Sequence, residues 1–279
     1  MHFIIKLLAG TLVLAVILMM VVLIPFLTSP KGTQLKGFTN VTGEKYAIIA
    51  TGSDHGISLL SSIGSGGTRF THEGNNIMET LKSDYGYDPS HVFLFAEDKA
   101  GFLAKMQQLS SQLKAGDQLS VIFLAHGGTL VNSTDFAIIL DQPLRAGEMQ
   151  TAIDRFQNIR TFVFLSSCAS GGFVPYLSKV NRVVFTTGVG SEMNTNLPSL
   201  AFAEGLARKI ADQNKDGKVS VTEIFHFIKR EVAADYQRIT GAIRPDSDLV
   251  QVDDNADRVG SIENLPHGSE GYVADITYI

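Results

Sequence analysis

One cysteine occurs in this 279-residue chain, at position 168, inside the run FVFLSSCASGG (162–172). A lone thiol cannot close an intrachain disulfide, so two uses remain: a small buried apolar side chain, or a thiolate that attacks an electrophile. A histidine in matching company favours the second. VIFLAHGG (121–128) also runs from apolar residues into polar ones, reaching His126, Gly127 and Gly128. A thiol beside an imidazole performs acyl transfer: sulfur attacks a carbonyl carbon, and the ring moves the thiol proton onto the leaving amine. The oxyanion formed needs backbone N–H donors, and the amides of Gly127 and of Cys168 itself are the candidates. Glycines after each residue let a substrate backbone approach. Each residue alone has a plainer role too, as a buried strand-end cysteine or a turn histidine. No G-x-S-x-G stretch occurs, which argues against a serine hydrolase.

A second constellation is suited to a hard cation. DQNKDGKVSVTE (212–223) places Asp212, Asn214 and Asp216 at positions 1, 3 and 5 of a calcium loop, Gly217 at 6, Ser220 at 9 and Glu223 at 12. Lys218, at position 7, offers its backbone carbonyl. Amphipathic segments flank the loop on both sides (199–211 and 221–239), as an EF-hand requires. The expectation is a structural Ca²⁺ that pins helices near the active-site rim. DDNADRVGSIEN (253–264) starts alike but has Arg258 where glycine belongs and Asn264 where glutamate belongs. The glycine-rich stretch GSGGTRFTHEGNN (64–76) fits neither phosphate-loop spacing.

The elements that must hold these residues alternate. Strand-like runs cover 46–52, 91–97, 118–128, 160–168 and 182–190, with helical spacing over 75–86, 100–116 and 144–156 between them. Residues 136–141 read as a hairpin partner. Near-continuous apolar strands alternating with amphipathic helices predict an α/β fold, a mostly parallel central sheet covered on both faces. Chemistry in such sheets collects at the carboxyl ends of strands, where His126 and Cys168 fall. A hydrophobic content of 44% with 18% charged residues suffices for a sizeable core. A net charge of −5 gives no basic footprint, so nucleic acid is not an expected partner.

Residues 7–27 run 21 positions without a charge, the length a bilayer-spanning helix needs. Residues 1–29 are read as an uncleaved signal anchor, 30–43 as a linker and 44–279 as the catalytic domain, facing away from the cytoplasm. Secretion after signal-peptide cleavage is the alternative, and a buried core helix the plain one.

The order apolar strand–His-Gly, spacer, apolar strand–Cys resembles the caspase-like cysteine peptidases. Their legumain branch, with the GPI-anchor transamidase subunit, is the most similar. ATGS (50–53), LKSDYGYDPSHVFLF (81–95), VVFTTGVGSE (183–192) and QVDDN (251–255) agree with it, so the resemblance spans about residues 45–258. It implies a three-layer α/β/α caspase-like fold and a polypeptide substrate. His126 is then the general acid/base and Cys168 the nucleophile of a cysteine endopeptidase. A transamidase would use the same acyl-enzyme, and a silent calcium-binding scaffold would keep the fold without turnover. The resemblance also nominates Arg69 and Ser191 for substrate contact. The acid that legumains carry after the cysteine is missing, since Ala169 stands there. Arg69 and His72 are also not adjacent, as the legumain pair is, so asparagine specificity does not carry over.

Overall fold

The computed structural model of the protein describes residues 40–53, 69–130, 135–190, 197–241 and 250–279. The apolar run 7–27, the glycines at 64, 66 and 67, and Ser191 lie outside them. Among the described residues no helix is long and apolar enough to cross a membrane.

The chain opens with β1 (Lys45–Thr51), continues through α1 (Arg69–Asp84), β2 (Val92–Ala96) and α2 (Lys99–Ser110), and reaches β3 (Gln118–Leu124). Then come the short strands β4 (His126–Thr129), β5 (Phe136–Ile139) and β6 (Pro143–Arg145), α3 (Ala146–Ile153), β7 (Arg160–Ser166), α4 (Val174–Leu177) and β8 (Arg182–Thr186). The last third holds α5 (Leu197–Leu206), α6 (Val221–Thr240), β9 (Gln251–Asp253) and α7 (Tyr272–Asp275).

Six strands form one sheet in the order β2-β1-β3-β7-β8-β9, all parallel except the antiparallel edge strand β9. β3, β7 and β8 are buried along their whole length. That is why they carry apolar side chains on both faces instead of an alternation. On one face Val121, Phe123, Val163 and Leu165 pack with Phe102 and Met106 of α2, Met149 of α3 and Leu177 of α4. On the other, Phe202 of α5 stacks on Phe164 at 3.9 Å, and Phe225 of α6 meets the edge of Phe185 at 5.6 Å. Such pairs add about 0.5–1.5 kcal/mol each beyond area burial. The result is three layers, α/β/α.

α1 begins one turn and more before the spacing over 75–86 predicts. Its buried stripe is Phe70, Glu73, Gly74, Ile77 and Leu81. Gly74 hid the stripe in the sequence, yet it lets the helix sit close to the sheet. A Cβ there would lie 2.7 Å from Thr51 Cγ2 and 3.1 Å from Leu94 Cδ1. The helix expected over 144–156 is divided: β6 takes the first residues, and α3 starts at Ala146, where Glu148 Oε2 accepts from the Arg145 N–H at 3.0 Å.

Candidate active site

The register of two neighbouring strands brings the cysteine and the histidine to one rim. β3 and β7 pair in parallel from Gln118 opposite Arg160 to Leu124 opposite Ser166. The Ala125 N–H continues the ladder by donating to the Ser166 carbonyl at 3.1 Å. Two residues beyond Leu124 stands His126, and two beyond Ser166 stands Cys168, so both leave the sheet at the same level. Both are half-buried, which leaves the thiol a route to solvent.

Past that level the two chains part. His126 opens β4, which turns into a second, three-stranded sheet with β5 and β6, and pairs with Ile139. Cys168 begins a sharp turn. Ala169 takes a left-handed backbone at φ 55°, followed by a 3-10 turn over Ser170–Phe173. An L-residue with a Cβ adopts that conformation at a cost of about 1–2 kcal/mol, the kind of strain that gathers at functional turns.

Gly127 closes the space between the two segments. A Cβ on it would fall 2.7 Å from the Cys168 carbonyl oxygen, 2.7 Å from Ser167 Oγ and 2.8 Å from Ser167 Cβ. Only glycine permits the backbone beside His126 to lie so close to that of Cys168. Among the described residues a side chain at Gly128 would instead meet nothing within 4 Å.

The start of α1 forms another part of this rim. Phe70 presents its ring at 81° to His126, with centroids 5.3 Å apart. The Arg69 guanidinium lies over the Phe70 ring at 4.7 Å, and its Nε lies 3.4 Å from Glu73 Oε1. Arg69 thus stands next to the histidine's own neighbour, with its charge engaged by a buried glutamate. Residue spacing did not single out Phe70 or Glu73; the stripe they share with Ile77 and Leu81 was their signal. Ser167 and Ser170 flank the turn with buried hydroxyls that have no hydrogen-bond partner among the described residues.

The loop 212–223 folds with its oxygens turned onto its own backbone. Asp212 Oδ1 accepts from the N–H of Asp216 at 3.2 Å, and its Oδ2 from that of Gly217 at 3.0 Å. Asn214 Oδ1 takes the Asp216 N–H at 2.8 Å, and Asp216 Oδ1 takes that of Lys218 at 2.9 Å. Glu223 Oε1 accepts from Gln213 and Asn214, and Ser220 and Glu223 cap α6 reciprocally. Gly217 has φ +84°, the turn for which glycine is needed. Among the described residues Asp212, Asp216 and Glu223 do not gather as a group of three carboxylates within 4.8 Å of one another.

The location corrects the expectation that this loop lies near the active-site rim. Lys218 covers Tyr278 at 4.9 Å, Gln118 Nε2 donates to the Tyr278 carbonyl at 2.7 Å, and Lys45 donates to the carbonyl of Ile279. Lys45 and Gln118 begin β1 and β3, so the loop sits at the opposite pole of the sheet from His126. At about 3.3 Å per strand residue that is on the order of 25 Å away. Burial, with Lys218 and Lys209 adding like charge, holds the Lys45 amine below its ordinary range there.

No protein-family model and no curated protein matches the chain. Solved structures do. It is similar to caspase-1 from Spodoptera frugiperda at 15% identity, with a TM-score of 0.52, over 83% of this chain and 95% of that one. It is similar also to a structure described as pro-sf-caspase-1, at 12% identity and a TM-score of 0.53, over 79% of this chain and 92% of that one. The chain therefore has a caspase-like α/β fold with a mostly parallel central sheet.

Proposed function

We propose that this protein is a cysteine endopeptidase with Cys168 as nucleophile and His126 as general acid/base. The observation that carries this reading is the level position of the two residues on adjacent parallel strands, with Gly127 pressed against the Cys168 carbonyl. In the reaction, Cys168 Sγ bonds to the scissile carbonyl carbon while His126 takes the thiol proton. The amides of Gly127 and Cys168 hold the oxyanion. The C–N bond then breaks, His126 protonates the departing amine, and a thioester remains on the enzyme. Water, deprotonated by His126, attacks the thioester and frees the acid, and the proton returns to sulfur.

The caspase neighbours support a polypeptide substrate. The motifs around strands β1, β2 and β8 favour the legumain branch among caspase-like folds. Arg69, over Phe70 and so beside His126, suits an acidic or amide side chain of the substrate, tempered by its pairing with Glu73. Ser191 completes the nominated contacts from outside the described residues. The loop 212–223 holds a structural Ca²⁺ through Asp212, Asn214, Asp216, Lys218, Ser220 and Glu223. Residues 7–27 anchor the domain in a membrane, with the site on the extracytoplasmic side.

The test is turnover of a fluorogenic peptide library by the wild type, Cys168→Ala and His126→Ala. Both variants lose activity by at least about 10³-fold, on the scale of a lost nucleophile or base, while their circular dichroism stays that of the wild type. Undiminished hydrolysis by folded Cys168→Ala would overturn the assignment. Adding a primary amine and analysing products separates hydrolysis from transamidation.

A further inference from the structure

The stretch 253–264 fails as an EF-hand in sequence, yet the fold gathers three carboxylates around its start. One oxygen each from Asp253, Asp257 and Glu270 lies within 4.8 Å of the other two, and among the described residues this is the one such group. Asp253 ends the edge strand β9 and is 1% exposed; Glu270 is 6% exposed. Asp257 faces solvent.

Each buried carboxylate has one oxygen supplied with a donor and one left over. Asp253 Oδ1 accepts from the Ala256 N–H at 3.1 Å, and Glu270 Oε2 from the Asp254 N–H at 2.9 Å. Among the described residues Asp253 Oδ2 and Glu270 Oε1 are buried with no hydrogen-bond partner. The Ser178 hydroxyl accepts the Arg258 N–H at 3.0 Å and donates its own proton to the Asp253 carboxylate. Among the described residues no lysine or arginine stands within ion-pair distance of Asp253, Asp257 or Glu270.

Buried carboxylate oxygens without partners are costly, and natural folds leave few of them unexplained. Protonation offers partial relief. Burial, then Asp254 and Asp253, push Glu270 up to about 9, and burial is the main cause that raises Asp253 to about 6. A cation gives fuller relief, because it serves both orphan oxygens and the exposed third carboxylate at once.

We propose that Asp253, Asp257 and Glu270 form a second Ca²⁺ site, independent of the loop 212–223. Glu270 supplies the carboxylate that position 12 of the failed motif, Asn264, lacks. Water fills the remaining coordination positions on the open Asp257 side, as Ca²⁺ accepts six to eight oxygens. The ion braces the sheet's edge strand, whose other end, Gln251, lies against the turn after Cys168: a Cβ on Gly171 would fall 2.7 Å from Gln251 Nε2. The proposal does not depend on the peptidase reading, because its test records metal binding alone.

The test uses the full chain, stripped with EDTA, carrying Asp212→Asn and Asp216→Asn to silence the other loop. Titration with CaCl2 gives binding heat for one equivalent, and the Tm rises. Adding Asp257→Asn, an exposed change that the fold tolerates, weakens binding by about tenfold or more. Adding Glu270→Gln, which matches the shape of the protonated acid, leaves the metal-free Tm near its parent and removes the Ca²⁺-dependent rise. MgCl2 at equal concentration raises the Tm less, since Mg²⁺ demands stricter octahedral geometry. No heat and no Tm change in the parent would overturn the site. So would unchanged affinity after Asp257→Asn, or an intact Ca²⁺ response after Glu270→Gln.

Discussion

Gly127→Ala isolates the geometry on which the proposed chemistry depends. The added methyl would sit 2.7 Å from both the Cys168 carbonyl oxygen and Ser167 Oγ. Ordinary contact for a carbon against such atoms begins near 3.4 Å, so the strand bearing His126 and the turn bearing Cys168 must separate by about 0.7 Å, the difference between the two distances in a close-packed interior. The obstructing atoms are backbone and a buried serine, so a flexible side chain cannot absorb the shift. Displacements near 1 Å between reacting groups cost on the order of 10²-fold in rate, equal to about 2.7 kcal/mol of barrier. The assay is kcat/KM on the best fluorogenic peptide from the library, with Gly128→Ala as the control, since its methyl meets nothing within 4 Å among the described residues. Gly127→Ala drops by about 100-fold with its Tm lowered only modestly, because the β3–β7 ladder is untouched; Gly128→Ala stays within a factor of two or so of wild type. If folded Gly127→Ala works at the wild-type rate, the close approach at Gly127 does not align His126 with Cys168.

Other changes probe the frame and the metal. Phe164→Ala deletes the ring stacked on Phe202 at 3.9 Å; it costs about 3–5 kcal/mol and lowers the Tm by about 10 °C, read by differential scanning calorimetry. A loss near zero would mean that this helical layer is not seated on the sheet as described. Gly205→Ala sets a methyl 2.4 Å from Ile224 Cδ1, where α5 crosses α6, for a loss of about 1–3 kcal/mol. The second change Ile224→Val removes the offending atom and recovers part of that loss; a purely additive double mutant would refute the clash. In an Asp257→Asn background, CaCl2 raises the Tm and Asp212→Asn with Asp216→Asn cancels the rise. A rise that persists would deny the ion to the loop 212–223.

Much of this architecture was legible in the residues because its strands are unusually plain. Runs such as VIFL and FVFL are buried on both faces, so their composition announces them, and the polar residues where they end mark the rim that holds His126 and Cys168. What the sequence concealed was long-range. No local pattern distinguishes the end of the sheet against which a loop packs, so the calcium-type loop was expected at the wrong pole. The start of α1 was masked by glycines that look like loop composition; Gly74 is there for close contact with Thr51 and Leu94, which only the folded chain reveals. The carboxylate of Glu270 is thirteen residues past Asp257 in the chain, too far for a motif read position by position to include it.

The most direct measurement is covalent capture at the sulfur. Folded wild-type protein is incubated with a peptide acyloxymethyl ketone series, and the site and rate of labelling are read by intact mass and peptide mapping. A single adduct forms on Cys168, about 100-fold or more slowly when His126 is replaced by alanine. A folded protein whose Cys168 stays unmodified, or reacts equally fast without the imidazole, would contradict the pairing of Cys168 with His126.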